Sequence, residues 1–109
     1  MTDQRKNDQW AAWINMMPVS AHVLHVVGTI DVGSESIGAT ISFDGIEKSN
    51  PPILILRISH THIFVPRPPG DTKVLLHYQQ PGTPGQYSSV IVAYPDGSHV
   101  RIDNILIAT

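Results

Sequence analysis

Within the stretch ILILRISHTHIFV, residues 53–65, two histidines stand one residue apart. On a β-strand, residues i and i+2 point the same way, so His60 and His62 share a face. Neutral imidazoles presented side by side can ligate zinc, copper or iron. A metal site also wants a third protein donor, and no acid lies between Asn50 and Gly70. His22, His25, His77 and His99 can complete such a site only if the fold gathers them. His60 and His62 are therefore the candidate metal ligands. The plainer expectation is that they are structural or partly exposed histidines, and no cofactor is expected.

Other chemistries find less support. Ser88 and Ser89 fall in a predicted strand, and Ser34 and Ser36 flank Glu35 in a polar bend. There is no G-x-S-x-G elbow to expose a nucleophile. Asp31 and Glu35, acids four residues apart in the β-rich region, have the look of turn residues rather than a catalytic pair. The loop PGTPG, residues 81–85, is not a phosphate cradle. It has strands on both sides, and its prolines lack the amide donors a phosphate needs. No catalytic residue is assigned.

The 109 residues have the size of one domain, long enough to bury a core without staples. Apolar residues make up 41% and charged residues 15%, a globular composition. The net charge is −2 and the seven cations are scattered, which disfavours a nucleic-acid partner, since phosphate neutralisation needs clustered cations. With no cysteine there are no disulfides and no thiolate chemistry. The polar opening MTDQRKNDQW is unlike a signal peptide, and no apolar run approaches the ~20 residues that cross a bilayer. A cytoplasmic protein without membrane contact is the expectation.

The elements that would position these residues follow from periodicity. Residues 1–7 are polar and expected to be disordered. Asn7 or Asp8 can cap a short helix, residues 8–17, that stops at Pro18. In it Trp10, Trp13, Ile14 and Met17 fall on one helical face, which must dock on the sheet or on a partner. After Pro18 the period becomes two. His22, Leu24, Val26, Ile30 and Val32 share one parity, and Ile37, Ala39, Ile41 and Phe43 another face. Pro95-Asp96-Gly97 is a tight-turn signal joining YSSVIVAY to SHVRIDNILIA as a hairpin. Six to seven short strands punctuated by Pro and Gly predict an all-β fold. The expected form is an antiparallel sandwich or small barrel in one domain, residues 8–109, carrying the N-terminal helix.

Two stretches point to a partner. ILILRISHTHIFV is apolar in both parities, so both faces of that strand want cover. A bend near Arg57–Ser59 would let its halves serve two sheets, and a second subunit could complete one face. IDNILIAT carries no charge after Asp103, so a strand there lacks the usual protection of a sheet edge. Trp10, Trp13, Ile105 and Ile107 are accordingly the candidate interaction residues.

The order of features also resembles a group of small bacterial proteins of unknown function. These features are Trp10-x-x-Trp13, Met17-Pro18, Leu24-His25-Val26-x-Gly28, Asn50-Pro51 before ILIL, and Tyr87-x-x-Val90 ahead of Pro95-Asp96-Gly97. The likeness runs from about Trp10 onward and departs at ISHTHIF, where that pattern has no histidines. It implies a β fold and no activity. Function is thus expected to be non-catalytic: an interaction or binding module acting on a protein partner or on a second copy, with a homodimer as one form. The alternative is a small metal- or ligand-binding β-barrel enzyme using His60 and His62.

Overall fold

Strands that alternate apolar and polar side chains must pack their apolar faces together, and two such sheets enclose the core here. The computed structural model describes residues 9–16 and 22–108. The strands are β1 (Gln9–Asn15), β2 (Val23–Asp31), β3 (Ile37–Glu47), β4 (Ile53–His62), β5 (Lys73–Pro81), β6 (Ser89–Ala93), β7 (His99–Ile102) and β8 (Ile105–Ala108). They form two four-stranded sheets, ordered β5-β2-β1-β8 and β3-β4-β6-β7. The fold is all-β, with two packed sheets and no closed barrel. Neither sheet is purely antiparallel, because β1 pairs β8 and β4 pairs β6 in parallel. Among the described residues no helix is long and apolar enough to cross a membrane.

The expected N-terminal helix is not formed. Residues 9–15 are a strand, hydrogen-bonded to β2 on one side and to β8 on the other. The same residues carry a period-two pattern: Ala12 and Ile14 are buried, while Ala11 and Trp13 fall on the opposite parity. Strands on both sides pair the backbone of residues 12–15, and β2 pairs that of Gln9–Asn15. A nine-residue helix satisfies few of its own backbone groups, so tertiary pairing overrides the helix propensity of the alanines. Asp8 and Met17 lie outside the described residues, as does the whole of the segment 1–7.

The core is shared between the sheets. Ala12, Ile14, Leu24, Val26, Ile30 and Leu76 come from the first, and Leu54, Leu56, Ile58, Val90, Val92 and Ile102 from the second. The expected bend within ILILRISHTHIFV does not occur: β4 stays in one sheet as an inner strand. The irregularity lies in its neighbour, where the β3–β4 register shifts between Phe43 and Gly45.

Pro95-Asp96-Gly97 does turn the chain. The Tyr94 amide donates to the Ser98 carbonyl at 2.8 Å, and Gly97 takes a positive φ of 92°. The hairpin ends sooner than expected. β7 stops at Ile102, and the next four-residue strand belongs to the other sheet. The change of sheet falls at Asp103-Asn104, two poor strand formers. There the Asp103 carboxylate accepts from the Ser89 hydroxyl at 2.8 Å and from Arg101 Nε at 2.6 Å.

The loop after β4 is tied down by Arg67. Its guanidinium donates to the carbonyls of Ser34 at 2.8 Å, Ile37 at 2.7 Å and Asp71 at 3.1 Å. Glu35 answers from the other side, its carboxylate accepting the Gly70 amide at 2.8 Å.

Candidate functional site

The first sheet carries the two features with functional potential: an open edge and an outer face. β8 forms that edge, with β1 on one side and no neighbour on the other among the described residues. Ile105 and Ile107 lie opposite Ala12 and Ile14 and so share the parity of the core. Leu106 lies opposite Trp13 and points outward. Yet Leu106 and Ile107 are each 55% exposed, so the strand is apolar on both faces and covered fully on neither. Beneath its inward face a cleft of about 260 Å³ is lined by Ile14, Tyr87, Asp103, Ile105 and Ile107, among others.

On the outer face, three rings from three adjacent strands form a ladder. Trp13 of β1 sits directly across from His25 of β2, and their rings stack with centroids 5.1 Å apart and planes 15° from parallel. His25 in turn meets His77 of β5 end to end, with centroids 5.1 Å apart and planes 29° from parallel. The pairing register puts Gln79 opposite His25, so His77 is its diagonal neighbour, within reach of an imidazole. His25 Nδ1 and His77 Nε2 approach to 2.8 Å, a hydrogen bond in which one ring donates and the other accepts. Partial burial, and then the charge of His77, hold the His25 pKa below the ordinary histidine value. The face around the pair is uncharged. The ladder registers place only Asp31 and Lys73 as charged groups on it, opposite each other at the far end of the β2–β5 pair.

His60 and His62 do share a face of β4, opposite Ala39 and Ile37 of β3. Both are exposed, because β6 accompanies β4 only as far as Arg57. His62 packs edge-on against Phe64, with centroids 5.9 Å apart. Among the described residues no group of three or more His, Asp or Glu gathers anywhere that could hold a metal ion. Trp10 and Trp13, expected on one face, are on opposite faces. Trp13 stacks outside, while Trp10 packs against the core and donates its indole N–H to the Tyr94 hydroxyl.

The His25–His77 pair was invisible in sequence. Each histidine had the outward parity of its own segment, but 52 residues separate them, and only the β2–β5 register joins them. No protein-family model, no curated protein and no solved structure matches the chain.

Proposed function

We propose that this protein is a non-catalytic interaction module that associates with a second copy of itself through β8. The observation that carries the reading is the state of that strand. Ile105–Ala108 is an edge with no charge, no proline and no bulge, and its apolar side chains are half-exposed on both faces. Sheet edges of this kind pair with another strand unless something blocks them. Antiparallel pairing of β8 with its two-fold mate would satisfy the free backbone groups of both copies. It would also bring Ile107 of each copy towards its mate, over the clefts that Ile14 and Tyr87 line. A four-residue strand offers little area, and interfaces below about 1,200 Å² belong to weak, transient complexes. The expected dimer is therefore concentration-dependent.

Sedimentation over a range from micromolar to millimolar tests this. The mass should rise from monomer towards dimer, and Ile107→Lys should hold the protein monomeric by placing like charges across the two-fold axis. A monomeric mass throughout the range overturns the reading. A dimer untouched by Ile107→Lys moves the contact to another surface.

A further inference from the structure

We infer that the second copy seats itself on β8 in one register, with the two-fold axis passing through Leu106. The two outer faces then join into a single uncharged row of side chains. This rests on the β8 dimer proposed above and adds which residues meet. Backbone parity decides it. The Met16 N–H donates to the Ala108 carbonyl at 2.9 Å, so Ala108 turns its peptide groups towards β1. Successive residues of a strand turn theirs to opposite sides. Leu106 therefore faces β1 as well, and the N–H and C=O groups of Ile105 and Ile107 face the open edge.

Those groups admit few registers. In an antiparallel pair, two opposed residues exchange both hydrogen bonds only when each turns its peptide groups towards the other. An axis through Leu106 sets Ile105 against Ile107 of the mate, and Ile107 against Ile105 of the mate. Every free group of both residues is then bonded. An axis between two residues opposes each free residue to one already bonded to β1, and no ladder forms. An axis through Ile105 leaves a single bonded pair and sets Asp103 of each copy against Ile107 of the mate. An axis through Ile107 also leaves a single bonded pair among the described residues.

The side chains agree on both faces. Inside, Ile105 and Ile107 of the two copies form two cross-strand pairs beside the clefts that Ile14 and Tyr87 line. Outside, Leu106 meets Leu106 of the mate as a non-hydrogen-bonded pair, the closer kind, with Cα atoms about 4.5 Å apart. Leu106 lies opposite Trp13, and Trp13 opposite His25. The row His25, Trp13, Leu106 therefore runs straight on into its symmetry mate, across five strand spacings or about 24 Å. Leu106, 55% exposed in one copy, is then flanked by Trp13 on one side and by its own counterpart on the other. Asp31 and Lys73, the charged groups of this face, stay at its far end.

The chain has no cysteine, so single introduced cysteines report the register through disulfide formation. Leu106→Cys and Ile107→Cys are compared with Ser42→Cys, an exposed position on the other sheet that reports random collision. Each reduced variant and the wild type are weighed by sedimentation. The variants are then oxidised with glutathione disulfide, at a concentration where the wild type is dimeric, and followed on non-reducing gels. Leu106→Cys should cross-link roughly tenfold faster than Ser42→Cys, because its two sulfurs come within disulfide reach. Ile107→Cys should link no faster than Ser42→Cys, since its two Cα atoms lie about 8 Å apart in this register, too far to bridge. Faster linking through Ile107→Cys than through Leu106→Cys overturns the register and leaves the β8 dimer standing. A dimer that links through neither overturns both. A wild type that stays monomeric overturns the dimer and this register with it.

Discussion

Trp10 and Tyr94 tie the two sheets together: the indole N–H on β1 donates to the phenolic oxygen just beyond β6 at 2.9 Å. The indole reaches its partner by lying across Gly28, its opposite number on β2, where any β-carbon would meet the ring. Gly28→Ala should therefore push Trp10 out of place and destabilise the fold by about 1–3 kcal/mol, the usual effect of overpacking. Tyr94→Phe keeps the ring and removes the acceptor, leaving the indole donor unsatisfied, a loss of about 1–3 kcal/mol. Urea unfolding of the two single variants and the double variant checks both, with less than additive losses expected because the residues share one contact.

Arg67 holds its loop by donating to three backbone carbonyls, with the Asp71 carboxylate a more distant ion-pair partner at 3.9 Å. Arg67→Ala should cost about 1–3 kcal/mol and raise amide exchange at Ile63 and Arg67, whose N–H groups donate to Ser36 and Glu35. Arg67→Lys should recover little, since one ammonium cannot span three acceptors as the planar guanidinium does.

The His25–His77 pair has a definite pH signature. The folded His25 pKa lies below its unfolded value of 6.5. Above that value both states are neutral there and the group contributes nothing to pH dependence. As pH falls through 6.5 the unfolded chain takes up the proton first, so stability is lost progressively until the folded form protonates too. His25→Gln should flatten the stability profile between about pH 7 and 5. A profile unchanged by the substitution would show that the pair does not feel its burial.

Asp103 acts in the same direction at lower pH. Arg101 first, and then the Ser89 hydroxyl, hold its carboxyl below the ordinary aspartate value. Its contribution is present above that range and is lost as pH falls through the folded pKa. Asp103→Asn should remove this part of the acid sensitivity while keeping much of the hydrogen bonding. Thermal melts of wild type and variant at pH 6 and pH 3 should converge at the lower value.

The parts of the fold legible in the sequence are those that local rules govern. The alternation of Leu24, Val26 and Ile30, the face formed by Ile37, Ala39 and Ile41, and the turn at Pro95-Asp96-Gly97 needed only strand periodicity and turn chemistry. Residues 9–15 misled because Trp10, Trp13 and Ile14 fit a helical stripe. The deciding fact, a strand arriving on each side, is set by residues far along the chain. The split of SHVRIDNILIA at Asp103-Asn104 was equally non-local. The close pairing of His25 with His77 depends on a register between strands that no spacing encodes. His60 and His62 drew notice because they are neighbours in sequence, yet they sit on the stretch of β4 that β6 has already left.

The parallel pairing of β1 with β8 has a consequence for the order in which the molecule is made. A ribosome delivers β1 among the first strands and β8 as the last of the eight. Until β8 is made, β1 can pair with β2 alone, and its other side, with Trp13 above and Ile14 below, waits for residues not yet synthesised. Pairings this distant in sequence close late and slowly. That side of β1 should therefore stay unpaired, with Ile14 uncovered by Ile107, until β8 has been made.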